Sequence, residues 1–142
     1  MLLFLLACAA LAPNSLDGSL TESYDLAFDT TDARLYTSEL AIEYVQDPEG
    51  AAAVVLRVTL DADVDPKAGK IYDLVEHGEI TQSDALQSSL PTLDKGTIEL
   101  DEYGSDDGAK VEGKFSASFV TEEDATLQLE GGFKTELQVV DL

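Results

Sequence analysis

The side chains in this sequence with the chemistry to bind or react are overwhelmingly carboxylates. Asp61-x-Asp63-x-Asp65 has the spacing with which a calcium loop begins, where alternate residues supply hard oxygen ligands. The rest of such a loop is missing, because Pro66 stands where glycine is needed and Tyr72 where a bidentate glutamate is needed. In a strand, the same spacing sets the three carboxylates about 7 Å apart on one solvated face. That arrangement protects a strand by charge rather than binding an ion. A second acidic group, Asp101-Glu102 with Asp106 and Asp107, flanks the loop Gly104-Ser105-Asp106-Asp107-Gly108. Oxygen ligands crowded on a loop make Asp101, Asp106 and Asp107 weak candidates for Ca²⁺, the one cofactor the sequence suggests. Turn chemistry alone also selects Asp and Gly there.

Little else points to catalysis. The chain has one histidine, His77, in Glu76-His77-Gly78-Glu79, and one cysteine, Cys8. A single His without a second nitrogen or sulfur ligand makes neither a zinc site nor an obvious general base, and a loop position before Gly78 is the plain reading. No G-x-S-x-G elbow and no glycine-rich phosphate loop is present. No catalytic residue is therefore expected, and the chain is read as a non-enzyme. The enzyme alternative is a small glycan hydrolase, which needs two carboxyls facing each other across a cleft at about 5–9 Å. A further alternative is a soluble exported domain that binds carbohydrate or calcium. Ser, Thr and Gln on outward strand positions suit a glycan, but tryptophan, the usual stacking platform, is absent.

Charge narrows the partners. The 142 residues include 29 acids and 8 bases, a formal net charge of −21, and 44% of them are hydrophobic. That apolar fraction suits a globular domain. The field repels phosphate backbones, so nucleic acid is excluded as a partner. A basic protein, or a polysaccharide bridged by divalent cations, is the partner such a surface accommodates, with binding that weakens as salt screens it.

The chain opens MLLFLLACAALAP, twelve apolar residues ended by Pro13. This is well short of the roughly 20 residues that span a bilayer and fits the apolar core of an export signal. Within it, Leu5-Leu6-Ala7-Cys8 resembles the lipobox of bacterial lipoproteins: a branched apolar residue, a small residue, then cysteine. The resemblance implies cleavage before Cys8 and a lipid thioether on its sulfur, anchoring the chain in the cell envelope. Ala9 rather than Asp after the cysteine implies the outer membrane. Residues 1–7 are then the end of a signal segment whose basic start lies upstream, and residues 8–19 are the lipidated cysteine and a tether. Two other readings stay open: a signal cleaved after Ala9 or Ala12, giving a soluble periplasmic or secreted protein, or a buried N-terminal element.

Behind these residues lies an alternating sequence. Val54, Leu56, Val58, Leu60, Ala62 and Val64 share one face of a strand over 54–64, with Arg57, Thr59, Asp61 and Asp63 on the other. Tyr24, Leu26 and Phe28 predict a second strand. Leu40, Ile42 and Tyr44 alternate with Ala41, Glu43 and Val45 in a third, joined to 54–64 by the turn Asp47-Pro48-Glu49-Gly50. Ile98 and Leu100 lead through the acidic loop to a return strand with Val111, Gly113, Phe115, Ala117 and Phe119 inside. Leu127 and Leu129, a bulge at Gly131-Gly132, and Phe133, Thr135, Leu137 and Val139 complete the series. Between 66 and 92, Ile71, Leu74 and Ile80 are assigned to short strands, and Ser83 is the one plausible helix start. One face buried and one wet is the antiparallel habit. The expectation is an all-β domain over residues 20–142, a single antiparallel β-sandwich or partly open barrel of about seven strands. Its core should include Tyr24, Phe28, Leu56, Val58, Leu60, Phe115, Phe119 and Phe133.

The last third carries a second resemblance. Gly96-Thr97-Ile98, Val111-Glu112-Gly113-Lys114-Phe115-Ser116-Ala117-Ser118-Phe119 and Leu129-Glu130-Gly131-Gly132-Phe133 are similar to a G-x-I…V-x-G-x-F-x-A-x-F…G-x-F pattern of bacterial envelope lipoproteins. It implies a β-rich extracytoplasmic domain and supplies no catalytic residues.

Overall fold

The computed structural model describes residues 14–46, 53–82 and 90–140. The apolar run with Cys8, the 47–50 turn and the Ser83 helix start lie outside them. Of the described residues, 61% are strand and 10% helix, so the chain is all-β as its alternation predicts. The strands are β1 (Ser15–Asp17), β2 (Thr30–Leu35), β3 (Glu39–Gln46), β4 (Ala53–Asp61), β5 (Lys70–Asp73), β6 (Gly78–Thr81), β7 (Thr92–Glu102), β8 (Lys110–Val120) and β9 (Thr126–Val139). Two single turns of α-helix, α1 (Leu20–Ser23) and α2 (Leu74–His77), and a 3₁₀ turn at Ala62–Val64 interrupt them.

The sheet runs in the order β5-β7-β8-β9-β2-β3-β4-β6, with β1 alongside β9. It curls into a partly open barrel around Tyr44, Phe115, Phe119 and Phe133, each at most 3% exposed, and their aliphatic neighbours. Every pairing is antiparallel except that of β2 with β9, which is parallel over Ala33↔Leu137 to Leu35↔Val139. The architecture is the expected sandwich or partly open barrel, but this one pairing makes its sheet mixed rather than wholly antiparallel. The predicted hairpin is present, with Leu40 opposite Leu60 and Ile42 opposite Val58. So is the β7–β8 hairpin, whose inner face is the predicted set from Val111 to Phe119.

Several expectations are corrected by local physics. Residues 24–28 are not a strand: the Asp25 carboxylate accepts the Ala27 N–H, a local turn that competes with extended pairing. Leu26 is buried, while Tyr24 and Phe28 are only partly so, and Phe28 stands edge-on to Tyr44 at 4.9 Å. The strand expected over 54–64 ends at Asp61, and Asp63 and Asp65 belong to the 3₁₀ turn and its left-handed exit. Leu74 lies in α2 rather than a strand, and Ile71, though in β5, faces solvent at 64% exposure.

Residues 14–19 are no tether. Ser15–Asp17 pairs with β9, and the Asn14 side-chain oxygen accepts the Lys134 N–H and the Thr31 hydroxyl, each at 2.7 Å. Asn14 thereby fills the fork where β1 leaves β9 and β2 joins it.

Gly131-Gly132 makes no bulge, since the β8–β9 register runs unbroken from Lys110↔Glu136 to Val120↔Thr126. Glycine is needed at 131 for space: a Cβ there would lie 2.3 Å from the Phe115 ring. The register breaks sit instead in the β3–β4 pair and, twice, in the β7–β8 pair.

Tyr44 links the two halves of the barrel. Its ring is fully buried and its hydroxyl donates to the Gly132 carbonyl at 2.7 Å. Burial holds its ionisation well above the ordinary tyrosine range. The fold binds this proton more tightly than the unfolded chain does, so the stability tied to neutral Tyr44 is complete below about pH 10 and declines as pH rises beyond it. Tyr44→Phe should cost about 1 kcal/mol at neutral pH, through the carbonyl left without its donor. It should also flatten the alkaline loss of stability, which urea unfolding at neutral and strongly alkaline pH would measure.

Candidate functional site

At one end of the barrel the β2–β3 turn, the 3₁₀ turn with the segment that follows it, and the β7–β8 loop meet around a basin of about 460 Å³. Its polar and aromatic wall comprises Tyr36, Thr37, Asp65, Lys67, Tyr103 and Ser105. The segment from 62 to 67 is firmly held. Asp65 has φ +55°, a left-handed conformation uncommon for a residue with a side chain, and its N–H closes the turn on Ala62 O at 2.9 Å. The Tyr72 hydroxyl, projecting from β5, accepts the Lys67 N–H at 2.9 Å and donates to the Asp65 carbonyl at 3.5 Å. Asp65 and Lys67 form an exposed ion pair at 3.5 Å. Tyr103 stays protonated beyond its ordinary range because it is partly buried and because Asp65 and Tyr72 would place negative charge beside a tyrosinate.

Tyr36 is placed by charge. Both arginines of the chain, Arg34 and Arg57, converge on Glu43: Arg57 Nε donates to Glu43 Oε2 at 3.1 Å, and Arg34 Nε lies 3.3 Å from Glu43 Oε1 without hydrogen-bond alignment. Arg57 Nη2 also donates to Glu39 at 2.9 Å. Thus braced, the Arg57 guanidinium sits 5.7 Å from the centre of the Tyr36 ring and covers one of its faces. Burial opposes the Arg57 charge, but Glu43 and Glu39 outweigh it and keep the guanidinium more firmly protonated than usual. The alternation places Ala41, Glu43 and Thr59 on a wet face. All three are buried: Ala41 lies opposite Arg34, Glu43 opposite Arg57, and Thr59 two residues beyond Arg57 on β4.

A second concavity, about 750 Å³, crosses the outer surface of β1, β5, β7, β8 and β9. Asp17, Glu99, Asp101, Glu112 and Glu130 line it, with Lys114 paired to Glu99 at 3.6 Å.

The two acidic motifs are thus brought to the same region by the fold but not into one site. Asp65 and the Tyr103–Ser105 stretch share the basin, whereas Asp101 belongs to the trough. Asp107 accepts the Val139 N–H at 2.9 Å and so ties the loop to β9, and Asp106 is exposed. Among the described residues no three acidic, His or Cys side chains come together as a metal would require. His77 closes α2, exposed. Cys8 lies outside the described residues.

Sequence reasoning did not find Tyr36, Lys67 or Tyr103, which sit in segments without periodicity. The signal for the charge network was present in outline, since Glu43 and Arg57 oppose one another once the β3–β4 hairpin is drawn. No protein-family profile matches this chain, and no curated protein or solved structure does either. No helix among the described residues is long and apolar enough to cross a membrane.

Glu43→Gln should keep the shape of the network while weakening its pairing. A loss of about 1–2 kcal/mol in urea unfolding is expected, with greater mobility of the Tyr36 ring in NMR spectra.

Proposed function

We propose that the chain is a non-enzymatic envelope protein, anchored to the outer membrane by lipid on Cys8, whose β-barrel domain acts by contact with other envelope components. The observation that carries this reading is the sequence Leu5-Leu6-Ala7-Cys8 standing just ahead of the first strand. Asn14 and β1 are bonded to the barrel, and the six peptide steps from Cys8 to Asn14 reach at most about 20 Å. An anchor there would hold the barrel close to the membrane surface. Contact suits the −21 charge and the trough of carboxylates on the outer sheet face, which favour a basic protein partner or a polysaccharide bridged by divalent cations.

Mass spectrometry of the protein taken from its host's membranes tests the anchor. Cys8 should be the mature N-terminus and carry two or three acyl chains, because a single chain gives only marginal membrane residence. Cys8→Ser should move the protein to the soluble fraction. A mature chain beginning after Cys8, or a Cys8→Ser variant that stays in the membrane, would replace the anchored reading with a soluble exported one.

A further inference from the structure

The basin at the barrel end differs from the rest of the surface in charge and in preparation. In a chain of net −21, its Asp65 and Lys67 cancel each other locally. Its aromatic wall is held from behind: Arg57, braced by Glu39 and Glu43, covers one face of Tyr36. Its floor segment is clamped by Tyr72, and its one left-handed aspartate is kept in place by the turn it closes. Backbone strain held by surrounding bonds is characteristic of ligand-binding positions. The volume of about 460 Å³ falls within the range of small-ligand pockets, roughly 300–1,000 Å³.

We propose that this basin binds a neutral saccharide of one or two rings, the tyrosines meeting its C–H faces and the polar groups its hydroxyls. This names a ligand for the contact reading but does not depend on the anchor. The donors and acceptors suit a polyol. Tyr103, Thr37 and Ser105 can donate and accept, Lys67 only donates and ionised Asp65 only accepts, so the lining offers both roles to sugar hydroxyls. An anionic ligand is repelled by the whole-chain field, and a cationic one is drawn to the acidic trough instead. Tyrosine supplies a rigid apolar surface with a polar tip, which fits a ring that is apolar on its face and polar at its edge. Because the wall and floor are already held, little ordering should accompany binding.

The test is an NMR titration of the full chain, isotopically labelled, with maltose, cellobiose and N,N′-diacetylchitobiose as separate probes raised to tens of millimolar. At least one should produce saturable shifts concentrated on the amides of Thr37, Lys67 and Ser105. Tyr36→Ala and Tyr103→Ala should each weaken that binding about tenfold or more while the remaining spectrum stays folded. If either alanine variant unfolds, Tyr103→Phe and Lys67→Ala, which change only exposed or half-buried polar groups, should still weaken it several-fold. The proposal is overturned if none of the three probes shifts the basin, or if saturable binding survives these variants unchanged. It is also overturned if a protonated glucosamine disaccharide binds where the neutral sugars do not, since recognition would then be electrostatic. These outcomes are independent of whether Cys8 carries lipid, so failure of the ligand and failure of the anchor are read separately.

Discussion

A sheet of this order has two terminal strands, β5 and β6, and the barrel must close between them without hydrogen bonds running from one to the other. The chain solves this by making the two strands neighbours in sequence and placing α2 in the gap. Asp73 caps that single turn, its carboxylate accepting the Val75 and Glu76 N–H groups at 2.8 and 3.4 Å. Leu74, fully buried, then wedges between the opposing parts of the barrel. A Cβ on Gly96 in β7 would stand 3.3 Å from the Leu74 Cβ. One on Gly78 in β6 would meet the Thr59 carbonyl at 2.1 Å and the Leu74 methyl at 2.9 Å. The wedge and the two glycines are therefore one device, and both halves of the core converge on it.

The basin depends on the same closure. Tyr72 immediately precedes the α2 cap on β5, and its hydroxyl clamps the segment from Asp65 to Lys67. Across the barrel, β3 and β4 carry the Glu43–Arg57 network that backs Tyr36. The basin wall is thus assembled from both sides of the seam. Elsewhere the acids are spread over outward strand positions and loops. There they act as a field more than as individual ligands, favouring solubility and opposing edge-to-edge association.

Period-two alternation made the long strands readable because each buries one face. Val111 to Phe119 and Leu56 to Leu60 are placed as their sequence indicates. What sequence could not reveal depends on contacts made from far along the chain. β1 is too short and polar to announce itself and exists because β9 offers an edge, with Asn14 completing the join. Gly131 reads as a bulge until the Phe115 ring is seen to occupy its space. Glu43 reads as a solvated residue until two arginines from different strands arrive beside it. The basin was the least legible feature, since its residues come from three separate turns whose meeting depends on barrel closure. The acidic motifs were visible, but the parts the fold gives to Asp107, which holds β9, and to Asp65, which shapes a wall, depend on contacts from distant segments.

Native-state hydrogen exchange on Leu74→Ala, with Val75→Ala as the exposed control, tests the central claim most directly. Emptying a fully buried leucine site should cost about 2–5 kcal/mol. The amides of β5 and β6 should open together and ahead of β8 and β9, while Val75→Ala changes little. A Leu74→Ala protein within about 1 kcal/mol of the parent, below the usual cost of a core truncation, would contradict the account if β5 and β6 also stayed as protected as before. The seam would then be closed by something other than this wedge.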